Sequence, residues 1–127
     1  MTLPPINTET QTDKNGKVRS PNHRKFVARH LCIAYHLGNC YGRIACCHAR
    51  DIAPRGHGGS KPSDEWTFSA CDRHHKNSEK RERAWGREND IDIEVLCMEF
   101  AAASPDRRIK QAAMEYMKAE KAKRVTA

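Results

Sequence analysis

The chain has 127 residues, enough for one domain that buries roughly two thirds of its unfolded surface. Only 38% of residues are hydrophobic and 31% are charged, with 23 Lys and Arg against 16 Asp and Glu and a formal charge of +7. That balance predicts a modest core, excludes a membrane span of about 18 apolar residues, and favours polyanionic partners whose binding is salt-sensitive.

The opening segment "MTLPPINTETQTDKNGK" is polar, has no period and lacks the apolar stretch of a secretory signal. Residues 1–20 are therefore expected to form a flexible basic and polar arm on a cytoplasmic protein. Thiols stay reduced in the cytoplasm, so six cysteines and seven histidines point to metal binding before disulfides. From Pro21 to Leu31, "PNHRKFVARHL" predicts a short helix or turn with Phe26, Val27 and Leu31 facing inward.

"CIAYHLGNCYGRIACCHAR" follows, with turn signals at Gly38-Asn39 and Gly42. Its end, "RIACCH", is short and apolar, which predicts a strand. Residues 51–64, "DIAPRGHGGSKPSD", hold two prolines and three glycines and predict a long irregular loop. "EWTFSA" then predicts a second strand through its aromatics and threonine.

Asp72 predicts the cap of a helix running to about Trp85 or Asn89. A second helix over Ile91–Ala103 places Ile93, Leu96, Cys97 and Phe100 on one face. Ser104 as cap and Pro105 at the first helical position predict a last helix to about Arg124, with Ile109, Ala112, Ala113, Tyr116 and Met117 inward. The order at the centre is strand, long loop, strand, helix.

That central helix begins "CDRHHKNSE". Cys71 and His74 are three apart and share one face, whereas His75 and Glu79 are four apart and share another. A thiolate and an imidazole suit a closed tetrahedral zinc site, completed by Cys32 with His36 or Cys40. Cys32 and His36 have three residues between them, a common spacing; Cys32 and Cys40 have seven, which is long. The second pair is a harder and more open donor set, fit for Mg²⁺, Mn²⁺, Ni²⁺ or Zn²⁺ with waters remaining. His48, at the end of the first strand, is a candidate general base toward water attacking a phosphodiester, with Arg50 and Lys61 as phosphate clamps. A thiol redox role is weaker, because no Cys-x-x-Cys occurs and adjacent Cys46-Cys47 would make a strained disulfide.

The stretch "CCHARDIAPRGHGGSKPSDEWTFSACDRHHKNSE" resembles the HNH (ββα-metal) endonucleases, more narrowly the small phage and prophage nucleases related to the phage recombination-enhancement nuclease. The resemblance covers about residues 22 to 104 through His48-Ala49-Arg50, Gly56-His57-Gly58, Lys61-Pro62-Ser63-Asp64, Ala70-Cys71, His74-His75 and Glu79. It implies an α+β fold with a small hairpin-plus-helix core over 21–104 and an added C-terminal helix over 105–127. It also implies His48 as general base, His75 and Glu79 as catalytic-metal ligands, Cys71 and His74 as structural zinc ligands, and DNA as partner, with RNA left open. This sequence departs from the pattern in carrying Glu79 where His or Asp is usual. It also has Cys32, His36 and Cys40 in place of an early Cys-x-x-Cys. The middle Asn has no counterpart, and Asp64 is the nearest candidate for holding the loop. Cys47, just before the base, is either a metal ligand or core. A zinc-stabilised nucleic-acid-binding protein with an inactive site is the alternative expectation.

Overall fold

The computed structural model describes residues 3, 11–12, 16–54 and 61–126. The fold is α+β. Its elements in chain order are β1 (Gln11–Thr12), β2 (Val18–Arg19), α1 (Pro21–Ala28), a 3-10 turn (Tyr35–Leu37), β3 (Ile44–His48) and β4 (Thr67–Cys71). Four helices follow: α2 (Asp72–Ser78), α3 (Glu82–Asn89), α4 (Ile93–Ala102) and α5 (Arg107–Thr126). β1 pairs antiparallel with β2. β3 pairs antiparallel with β4 in a register that sets Ile44 opposite Cys71 and His48 opposite Thr67. No helix among the described residues is long and apolar enough to cross a membrane.

The arm expected over residues 1–20 joins the fold at its far end. The Val18 N–H donates to Ser63 Oγ at 2.8 Å, and Val18 O accepts from the Asp64 N–H at 3.0 Å. Most of residues 1–10 lie outside the described residues. Ser20 then starts α1, its Oγ accepting from the His23 N–H at 3.1 Å, with Pro21 at the first helical position. Val27 is fully buried and Phe26 half-buried, as their spacing predicts. Leu31, expected inward, is 67% exposed, because α1 ends at Ala28 and the chain turns away before reaching it.

β4 is buried along its whole length, so no alternation of apolar and polar residues marks it. Both faces are covered, by α1 and by α4. Its polar members are satisfied: Thr67 Oγ1 donates to Asp64 O at 2.8 Å and Ser69 Oγ to Leu31 O at 2.7 Å. Phe68, Trp66, Trp85, Ile93, Cys97 and Ile109 form the middle of the core.

The single helix expected from Asp72 is two helices. Ser78, buried, turns its hydroxyl back onto His74 O and His75 O, while the Glu79 N–H still bonds His75 O at 2.9 Å. Glu79 leaves helical geometry and Lys80 takes the left-handed conformation at φ 61°. α3 restarts with a cap supplied from afar: Asp51 Oδ2 accepts from the Arg83 N–H at 3.3 Å, while Glu82 Oε1 accepts from the Asp51 N–H at 3.2 Å. Gly86 allows the exit of α3, since a Cβ there would meet Ile91 O at 2.3 Å.

Asp106, not Ser104, caps α5, its Oδ1 accepting from the Arg108 N–H at 2.9 Å. Pro105 precedes the cap. Asp106 Oδ2 also accepts from Ser20 Oγ, and Ser104 Oγ lies 2.8 Å from His23 Nδ1. The N-termini of α1 and α5 are thereby bolted together. α5 lies on α4 through fully buried Ile109 and Ala113, and Tyr116 meets Trp66 edge-on at 4.7 Å. Met117, expected inward, is 40% exposed, because α5 runs past the core at that point.

Two predictions follow from these junctions. Lys80 bears the cost of a left-handed backbone, so Lys80→Gly should stabilise the fold by about 1 kcal/mol in urea unfolding. His23 is fully buried, its Nε2 has no partner among the described residues, and burial lowers its pKa from the ordinary 6.5 to about 4. The unfolded chain therefore binds a proton below pH 6.5 that the folded chain refuses until about pH 4. His23's contribution is present above pH 6.5 and lost as pH falls to 4, by at most about 3 kcal/mol. Unfolding curves of His23→Gln over that window should show a shallower loss than wild type.

Candidate functional site

The first cluster is built where the end of β4 meets α2. Cys71 is the last strand residue and the N-cap of α2, its Sγ accepting the His74 N–H at 3.4 Å. One helical turn places His74 Nδ1 3.2 Å from Cys71 Sγ. Cys32, fixed after α1 by an N–H bond from Ala34 to its Sγ at 3.4 Å, lies 3.4 Å from the same Nδ1, and Cys40 Sγ lies 3.6 Å from it. All four ligand atoms lie within 4.8 Å of one another. A tetrahedral zinc with Zn–S of about 2.3 Å and Zn–N of about 2.05 Å sets sulfur and nitrogen about 3.6 Å apart. The cluster fits that requirement and could hold a metal such as zinc.

The protonation states agree with that use. Burial opposes ionisation of Cys71, yet N–H groups of His74 and Tyr41 and the thiols of Cys40 and Cys32 hold it below the ordinary cysteine value. Its place at a helix N-terminus acts in the same direction. Burial, with the Arg73 cation, holds His74 below the ordinary imidazole value, which favours the neutral ring that a metal requires.

The choice left between His36 and Cys40 falls to Cys40. His36 lies exposed in the 3-10 turn, its ring edge-on to Tyr35, and is not in the cluster. That turn and the left-handed residues Gly38 and Asn39 curl the chain back, so seven intervening residues span a short distance. Gly42 then passes over α2, where a Cβ would meet Asp72 Oδ2 at 2.0 Å.

The second cluster surrounds the other end of the hairpin. His48, the last residue of β3, has its Nε2 2.9 Å from Asp64 Oδ1. Asp64 is 0% exposed. It also accepts from the Ser20 N–H at 2.7 Å, from Arg19 at 3.2 Å and from Arg24 at 2.5 Å. Burial would raise the Asp64 carboxyl, but His48, the Ser20 N–H and Arg24 together hold it well below the usual carboxylate range. An ionised carboxylate only accepts, so His48 Nε2 carries the proton and neutral His48 offers Nδ1 as its lone pair.

Arg50 is half-buried beyond β3 and Lys61 is exposed, its carbonyl accepting from Lys17 at 2.8 Å and Arg19 at 3.0 Å. Cys47, left as ligand or core, is core: it is buried, belongs to the central apolar cluster, and burial pushes its thiol up to about 12. His75 is half-buried on α2 and Glu79 is the exposed residue ending it, its N–H bonded to His75 O at 2.9 Å. Among the described residues no hydrogen bond or ion pair joins either to His48, and no third Cys, His, Asp or Glu ligand atom clusters with them. Gly56, His57 and Gly58 lie outside the described residues.

Nothing local in the chain marks Arg19, Ser20 and Arg24 as partners of Asp64, 40 to 45 residues away. Only the density of basic residues from Lys17 to Lys25 hinted at a carboxylate to be met. No family model matches the chain, and no curated protein or solved structure matches it.

Metal analysis of the purified protein should give about one zinc per chain. Cys40→Ser should lose the metal and several kcal/mol of stability, since a structural zinc contributes folding free energy directly. His36→Ala should keep both.

Proposed function

We propose that the protein is a metal-dependent nuclease of the HNH (ββα-metal) type that hydrolyses phosphodiester bonds in DNA. The observation that carries this is His48, set at a strand end with Nε2 held by the buried Asp64 carboxylate and Nδ1 left as the basic atom. A general base needs that arrangement: a fixed tautomer, a fixed ring and one lone pair toward water.

In the proposed step Nδ1 of His48 takes a proton from water as the water oxygen bonds to phosphorus. The bond from phosphorus to the leaving ester oxygen breaks, and that oxygen ends protonated by solvent. Asp64 stabilises the imidazolium that forms, while Arg24 and Arg19 keep Asp64 from taking the proton itself. Arg50 and Lys61, flanking the loop, are the candidate contacts to non-bridging phosphate oxygens. His75 on α2 and Glu79, the residue that ends it, would hold the catalytic divalent ion. Such an ion supplies charge neutralisation at the phosphate and the leaving oxygen.

A second reading rests on a specific observation. The only donor set among the described residues that reaches three or more is the Cys32–Cys40–Cys71–His74 cluster. A zinc-stabilised protein that binds nucleic acid without cutting it would need no more than this.

Plasmid incubated with Mg²⁺, Mn²⁺ or Ni²⁺ decides between them. Nicking or linearisation is expected, falling by about 100-fold or more in His48→Ala and by a smaller factor in Asp64→Asn. His75→Ala should abolish cleavage while keeping the zinc. Absence of cleavage in every metal, with DNA binding intact, would favour the second reading; cleavage unchanged in His48→Ala would overturn the first.

A further inference from the structure

We infer that the solvent face of α5 is a binding surface for the phosphate backbone of nucleic acid. The inference rests on nucleic acid as the partner proposed above, but not on cleavage. α5 carries seven Lys and Arg against two Glu, so it holds +5 of the chain's formal +7. The excess is arranged. Arg107, Lys110, Met114, Lys118 and Lys121 fall within an arc of roughly 80° on the helix, given 100° per residue. All five are exposed. Ile109 and Ala113, fully buried, lie outside that arc, centred roughly 120° from its middle, so the stripe faces solvent and not the core.

The stripe is uncompensated. Among the described residues, Arg107, Lys110, Lys118 and Lys121 make no ion pair with an acidic side chain. Glu120 is turned toward the core side and pairs with Lys123, and Glu115 stands off the arc, receiving Gln111. Four like charges along about 21 Å of one helix face repel one another, and a polyanion relieves that repulsion. Phosphates on one strand of a duplex are spaced closely enough to meet several of them at once.

Its position is also informative. The stripe begins at Arg107, next to Asp106, which accepts from Ser20 Oγ. The Ser20 N–H in turn bonds the Asp64 carboxylate that holds His48. A backbone tracking α5 therefore leads toward the histidine–aspartate dyad, not away from it.

The test uses the full chain without added divalent metal, a short labelled duplex, and anisotropy titrations over about 50 to 300 mM KCl. Lys110→Gln/Lys118→Gln/Lys121→Gln should weaken binding about tenfold or more and lower the slope of log affinity against log salt by about 2 to 3. A control with the same charge loss elsewhere, Lys25→Gln/Arg29→Gln/Arg87→Gln, should leave most of that slope in place. Circular dichroism and zinc content check that both variants fold. Equal effects of the two variants, or an unchanged slope in the α5 variant, would overturn the stripe while leaving nucleic-acid binding intact. Failure of the wild-type protein to bind any duplex or single strand would overturn both proposals. Stripe-dependent binding to phosphatidylserine vesicles, with DNA affinity unaltered, would assign the surface to a membrane instead and overturn the inference.

Discussion

A full negative charge placed at zero exposure is the constraint around which this structure is assembled. Asp64 can be buried only because four donors converge on its two oxygens, two of them from guanidinium cations. Those donors come from β2, the start of α1 and the end of β3. Satisfying one carboxylate therefore draws the N-terminal segment, the first helix and the hairpin into a single arrangement. The same contact orients the imidazole of His48. Structure and candidate chemistry thus depend on one residue.

The other end of the hairpin is held differently. A core of few large apolar side chains leaves the loop between α1 and β3 weakly packed, and the Cys32–Cys40–Cys71–His74 cluster is the device that can close it. The two halves meet on α2. Its start supplies Cys71 and His74 to the cluster; His75 follows, the helix closes at Ser78, and Glu79 and Lys80 lead out of it.

Charge is divided in the same economical way. The cations nearest the dyad, Arg19 and Arg24, are committed to Asp64. Arg107, Lys110, Lys118 and Lys121, which make no ion pair among the described residues, stand on the outer face of α5, whose N-cap Asp106 is tied to Ser20 and so to the same junction. Half-buried cations fix Asp64 and exposed cations face outward, a separation that would let the proposed polyanion approach without competing for the pairs that hold the fold together.

Much of this was legible in the residues. Strand propensity in "RIACCH" and "EWTFSA", prolines and glycines between them, and helical spacing beyond Ile91 are local properties, and the structure follows them. Cys71 with His74 was legible because three residues on a helix bring two side chains together whatever surrounds them. What no local rule contained were the choices made by distant parts of the chain. Cys40 replaces His36 because a 3-10 turn and two left-handed residues curl the loop. The helix after Cys71 ends at Ser78, where Glu79 leaves helical geometry and Lys80 turns left-handed, with no glycine or proline to announce it. Asp64 receives Arg19, Ser20 and Arg24 across more than 40 residues of sequence, apart from Arg24 at 40. The sequence by itself determined most of the elements and the one Cys–His pair that shares a helical turn, since those depend on nearest neighbours. Only the tertiary structure decided which ligand completes the cluster and which charges surround His48, because burial of a charge is settled by everything that must come to meet it.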